Sequence, residues 1–217
     1  MHELAQPLWL QSVNHPFIKQ LISGELPMST FRYYLLQDRY YLSEFGQLHD
    51  LIAEQMDDPV AIDFLRKGAE GLKNGEIAVR KGFFTQLNIT KEEIALTPIA
   101  PTAYNYVNHM YAALYRGTPQ RAISALLPCY WLYNEIGKTI ISQGSPVSLY
   151  QQWIETYDSE GYTDSVNQMI NLTNLAASQV DDAERQQMTD VFIKSSAYEL
   201  GYWQMSLKHE DWDALTR

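Results

Sequence analysis

The chain of 217 residues contains one cysteine, Cys129, so it has no internal disulfide. Its opening stretch, MHELAQPLWLQSVNHPF, lacks the basic start and continuous apolar run of an export signal. A reducing, cytoplasmic setting is therefore expected. Cationic side chains are scarce: 16 lysines and arginines face 26 aspartates and glutamates, a formal charge of -10 at pH 7. Repulsion of that sign opposes binding to phosphate backbones or anionic lipid, so no nucleic-acid partner is expected. No stretch reaches the roughly 18 to 20 apolar residues that span a bilayer, which excludes a membrane helix. Sustained apolar and polar alternation bounded by hairpin turns is missing, and with it the sign of a sheet. No Glu-x-x-His occurs, the pair with which a helical bundle holds a di-iron centre, and the five histidines, His2, His15, His49, His109 and His209, are scattered. No metal site is expected.

What is present is helical periodicity. Apolar residues, 46% of the chain, recur at spacings of three and four almost throughout, which predicts an all-α protein. Breaks fall at 14–16, 24–29, 57–59, 88–91, 97–101, 117–119, 144–146, 159–161 and 180–182, leaving eight to ten helices. Ser29 is expected to cap the helix that begins TFRYYLLQ, and Thr90 with Glu93 has capping-box spacing. Connections are short and no linker or repeat divides the chain, so residues 1–217 are expected to form a single-domain helical bundle.

Tyrosine is abundant, at 15 against seven phenylalanines, and it falls in segments whose periodicity predicts burial. A buried phenol without a partner costs about 1–3 kcal/mol. Tyrosines at the surface explain part of the excess, but a polar cavity with aromatic walls explains the clustering better.

Three segments carry candidate chemistry. In FRYYLLQDRYYLSEFGQLHD, Phe31, Tyr34, Asp38, Tyr41 and Phe45 share one helical stripe, so a carboxylate interrupts an aromatic face. Asp38 either pairs with a base such as Arg39 or receives an amidine edge through two parallel hydrogen bonds. In LLPCYWLYNE, Pro128 removes one helical N–H and is expected to kink the helix near Ser124, at a cost of about 3 kcal/mol. Cys129 and Tyr133, four apart, project from one face. The thiol is either a small buried hydrophobe or a nucleophile. In VFIKSSAYELGYWQMSL, Glu199 lies on a stripe with Phe192, Ser195, Tyr202 and Trp203. A buried carboxyl without a basic partner is pushed toward its protonated form, which suits a general acid, whereas a Glu bonded to Tyr or Ser would serve packing alone.

Taken together these segments, with PTAYNYVNHMY around Tyr106 and WIETY around Tyr157, resemble thiaminase II, the TenA family, in order from about Leu8 to Trp212. The resemblance implies a helical fold of the haem-oxygenase-like type, a homotetramer, and no metal or organic cofactor. It implies an aminopyrimidine aminohydrolase of thiamin salvage. Such an enzyme converts 4-amino-5-aminomethyl-2-methylpyrimidine to the 5-hydroxymethyl compound and ammonia, and cleaves thiamin to that pyrimidine and the thiazole alcohol. On the matching positions, Cys129 is implied as nucleophile, Glu199 as acid/base and Asp38 as the group that holds the pyrimidine. Tyr41, Tyr133 and Tyr157 are implied around thiol and ring, Tyr106 as a stacking wall, and Phe45 and Tyr202 as aromatic neighbours of the substrate. Two other readings stay open on the residues alone: a haem or tetrapyrrole binder on the same architecture, and a non-enzymatic regulatory helical protein.

Overall fold

The computed structural model describes residues 1–73 and 77–213. Its described elements are eleven helices, with no strand among the described residues. The order begins with α1 (His2–Val13), α2 (Pro16–Ser23), α3 (Met28–Ala53), α4 (Pro59–Gly71) and α5 (Ile77–Gln86). Next come α6 (Lys91–Leu96), α7 (Pro101–Tyr115) and α8 (Pro119–Ile140). The last three are α9 (Ser148–Tyr157), α10 (Glu160–Ser178) and α11 (Asp182–Lys208). Residues 74–76, between α4 and α5, lie outside the described residues. No helix among the described residues is long and apolar enough to cross a membrane.

Starts follow capping chemistry. The side chains of His15, Asp58, Thr90, Thr118 and Ser159 accept from the N–H groups of Phe17, Val60, Glu93, Arg121 and Tyr162. Proline opens α2, α4 and α8, where its missing N–H would have no helical partner anyway. One expected cap is corrected. Ser29 lies inside α3, because Pro27 takes the capping position and its carbonyl accepts from Thr30 and Phe31 at 2.9 and 3.1 Å.

Two compact units divide the chain. The first comprises Met1–Leu26 and Met110–Gln204. Here α8 packs against α1, α9 and α10. Trp9 of α1 stacks 6.2 Å from Phe192 of α11 and donates its indole N–H to Ser196 Oγ at 3.1 Å. Phe17 of α2 lies 5.1 Å from Trp203. Each such ring removed from water contributes roughly 1.5–3 kcal/mol. Tyr150 of α9 donates its hydroxyl to the Leu26 carbonyl at 2.7 Å, so part of the tyrosine excess is satisfied by main chain.

The second unit comprises Pro27–His109 and Met205–Arg217. In it α3 packs on α4 and α5. Arg32 grips the Glu93 carboxylate, with Nε 2.6 Å from Oε1, and donates from Nη1 to the Leu87 carbonyl at 2.6 Å. Arg32 holds Glu93 below the usual carboxylate range, helped by a bond from the Thr90 backbone N–H. That bond, with Thr90 Oγ1 accepting from Glu93 N at 3.1 Å, completes the expected capping box. Buried Gln37 donates to the Pro98 carbonyl at 3.0 Å and accepts from Ala100 N at 2.8 Å, which fixes the entry to α7 against α3.

His49, near the end of α3, is fully buried and places Nδ1 2.7 Å from the Phe45 carbonyl. Burial pushes its pKa from the usual 6.5 down to about 4. His15 is shifted the same way by burial, against a hydrogen bond to the Gln204 side chain that favours its protonated form. Between about pH 4 and 6.5 the unfolded chain therefore binds more protons than the folded one at His49. This contribution to stability is complete above pH 6.5 and is lost as the pH falls toward 4. His49→Gln is expected to narrow the stability difference between about pH 7 and about pH 4.5 by on the order of 2 kcal/mol. Urea unfolding at both pH values measures this; the parental difference retained in the variant would remove His49 as its source.

Candidate active site

All nine side chains implied by the sequence are buried, and Cys129, at 8% exposed, is the most accessible of them. They fall into two groups, one in each unit. In the first unit, α8 carries Cys129 and Tyr133 one turn apart, and it runs unbroken through Pro128 from Pro119 to Ile140. The Tyr133 ring meets Tyr157 at 4.8 Å, Trp203 at 5.3 Å and Trp153 at 6.1 Å. The implied phenols Tyr133 and Tyr157 are thus neighbours although α9 and α8 are separate in sequence. On α11, Glu199 is buried, with Phe192, Ser195, Tyr202 and Trp203 also buried on its stripe.

Two residues that the periodicity did not single out bring Tyr157 to this position. A Cβ at Gly137 would stand 2.9 Å from the carbonyl carbon of Tyr157, so only glycine permits this approach of α8 to the end of α9. Asn134, one turn after Tyr130 on the buried face of α8, donates to the Tyr157 carbonyl and to Thr163 Oγ1, each at 3.0 Å. An isolated glycine within helical periodicity was the available signal. For Asn134 there was none, because its partners lie on other helices.

In the second unit, Asp38, Tyr41 and Phe45 share the buried stripe of α3, as their spacing predicts. Tyr41 stacks on Phe45 at 5.4 Å and meets Tyr106 of α7 at 5.0 Å. Phe45 in turn receives the edge of His49 at 4.8 Å. Asp38 is therefore a buried carboxylate beside a continuous run of rings, and it follows directly on Gln37, whose two hydrogen bonds fix the registry of α3 with α7. Neither Gln37 nor His49 stood out in the sequence as part of this arrangement.

Each group has its own chemistry. A thiol is an intrinsically strong nucleophile, a buried carboxyl transfers protons, and aromatic rings with a second carboxylate suit a flat cationic or amidine-bearing heterocycle. Among the described residues no group of three or more His, Cys, Asp and Glu side chains is placed to hold a metal ion.

Comparison with known proteins bears on the family and the fold. The model of the TENA/THI-4/PQQC family matches residues 2–209. An aminopyrimidine aminohydrolase of Bacillus subtilis (strain 168) is 34% identical over 204 residues, which cover 94% of this chain and 86% of that protein. A solved TenA homologue from P. horikoshii OT3 matches with a TM-score of 0.85 at 26% identity, over 94% of either chain. A domain of unknown function with a haem oxygenase-like fold from Shewanella denitrificans OS217 matches with a TM-score of 0.75 over 96% of this chain and 90% of that one. At 12% identity the last shows the fold alone. With an all-helical architecture of the haem-oxygenase-like type and a family match over nearly its whole length, the chain belongs to the TENA/THI-4/PQQC family.

Proposed function

We propose that this protein is a thiaminase II-type hydrolase that acts on a C–N bond of aminopyrimidines in thiamin salvage, in the cytoplasm and without metal or organic cofactor. Its substrate is 4-amino-5-aminomethyl-2-methylpyrimidine, released as the hydroxymethyl pyrimidine and ammonia, with cleavage of thiamin to the same pyrimidine and the thiazole alcohol as a second activity. The reading is supported above all by the burial of one thiol and two carboxylates among aromatic rings. The name of the B. subtilis relative, aminopyrimidine aminohydrolase, points the same way.

An amine leaves the pyrimidine methylene with difficulty while the ring is aromatic. The Cys129 thiolate adds to a ring carbon, which breaks aromaticity, and the ring electrons then expel the amine. Glu199 gives the departing nitrogen its proton; the C–N bond breaks with its electron pair on nitrogen. Water, losing a proton to the Glu199 carboxylate, then adds to the methylene, and expulsion of the thiolate restores the ring. Asp38 holds the amidine edge and increases the electron demand of the ring. Tyr41, Tyr106, Phe45, Tyr133, Tyr157 and Tyr202 supply stacking surfaces and hydroxyls that fix its orientation.

Ammonia release from the aminomethyl pyrimidine, measured beside turnover of thiamin, tests this function. A higher kcat/KM on the aminomethyl pyrimidine is expected; a preference for thiamin would reverse the salvage assignment, and no turnover of either would reject the function. A homotetramer is part of the proposal, supported by apolar side chains left on the surface of α1, where Leu4 is 65% and Leu10 60% exposed. A monomer mass by light scattering at micromolar concentration contradicts it.

A further inference from the structure

Ser195 and Ser196 are adjacent on α11 and both fully buried, yet the structure treats them differently. Ser196 Oγ accepts from the Trp9 indole at 3.1 Å and donates to the Phe192 carbonyl at 2.9 Å. The Ser195 hydroxyl has no hydrogen-bond partner among the described residues. A buried hydroxyl left unbonded costs stability that alanine, at nearly the same shape, would not. Ser12 and Ser124 are also buried and without a hydrogen-bond partner among the described residues. Neither shares a helical face with a residue placed in the chemistry, since Ser12 lies on α1 and Ser124 is five residues, about 140° of helix, from Cys129. Ser195 does: it stands four residues before Glu199 on one face of α11, with about 5–6 Å expected between their Cβ atoms.

We infer that Ser195 is a substrate-contacting residue that selects the leaving group, its hydroxyl accepting a hydrogen bond from the amine nitrogen that Glu199 protonates. This rests on the reading of Glu199 as the acid/base. The chemistry of the two substrates makes the contact selective. The aminomethyl nitrogen, once protonated, carries three N–H donors and leaves as ammonia. The thiazolium nitrogen of thiamin is bonded only to carbon and offers no donor. Ser195 therefore assists amine departure and gives thiamin nothing in return. A site built around a hydrogen bond discriminates strongly against a ligand that lacks the matching group.

The test is kcat/KM of the full chain on both substrates, with thermal unfolding, for the parent protein, Ser195→Ala and Ser196→Ala. For Ser195→Ala, a melting temperature equal to or above that of the parent is expected, with kcat/KM about tenfold lower on the aminomethyl pyrimidine and within about twofold on thiamin. Ser196→Ala loses two hydrogen bonds and is expected to melt earlier while keeping both activities. Unchanged kinetics in Ser195→Ala, or an equal loss on both substrates, overturns the inference. So does a Ser196→Ala variant that reproduces the same substrate-selective loss, since the effect would then come from the core. A parent protein inactive on both substrates takes down the proposed function, and this inference with it; an active parent with an unselective Ser195→Ala takes down this inference alone.

Discussion

Replacing Cys129 by serine is expected to leave the fold intact and to lower turnover of the aminomethyl pyrimidine by at least about 10³. Serine matches cysteine in shape, so the surroundings of α8 are retained. What is lost is nucleophilicity: a thiol is partly ionised near neutral pH and attacks strongly even so, whereas a hydroxyl needs a strong base beside it. Cys129 is buried but, at 8%, the most exposed of the implied site residues, and Tyr133 with its ring partners Tyr157 and Trp203 lies one turn further along α8. One equivalent of iodoacetamide is therefore expected to abolish hydrolysis, and a pyrimidine product analogue to slow the labelling. A small buried hydrophobe behaves otherwise. Resistance of the native thiol to labelling, together with near-normal turnover in Cys129→Ser, would reduce Cys129 to core packing.

Glu199→Gln is expected to bind the pyrimidine product as the parent does and to lose at least about 10² in kcat. The amide keeps the length and hydrogen-bonding capacity of the side chain on the buried stripe of α11, but it has no proton to give and no charge with which to take one from water. Product binding by fluorescence titration and kcat on the aminomethyl pyrimidine separate the two properties. Should kcat stay within about threefold of the parent, below the range general acid–base groups contribute, Glu199 is not the acid/base. A parallel loss of binding and rate would instead mark a packing role.

How legible each residue was depended on whether its role is local. The stripe of Asp38, Tyr41 and Phe45 and the shared face of Cys129 and Tyr133 could be read directly, because helical spacing alone determines which side chains project together. The Thr90 and Glu93 capping box was equally local and forms as expected. Ser29 shows the limit even at short range. Its type suits a cap, but Pro27 reaches the position first, and the helix then needs Ser29 only as a residue of its first turn. Gln37 and Asn134 were not legible at all, and Gly137 showed only as an isolated glycine within helical periodicity. Each acts on a partner on another segment, at Pro98 and Ala100 for Gln37, at Tyr157 and Thr163 for Asn134, and at the Tyr157 main chain for Gly137.

By itself the sequence determined the helical class, most helix ends and the buried face of each helix, since these follow from periodicity, caps and prolines within a few residues of one another. The excess of negative charge and the lone cysteine were equally its own. Only the tertiary structure decided that the Tyr133 and Tyr157 rings meet at 4.8 Å, that Tyr41 meets Tyr106 at 5.0 Å, and that of two adjacent buried serines one is bonded to Trp9 while the other is not. The physical reason is the same in each case. Periodicity fixes the angle at which a side chain leaves its helix, whereas what it meets depends on which helix is packed across from it and at what height, and that is set by the combined packing of residues far apart in the chain.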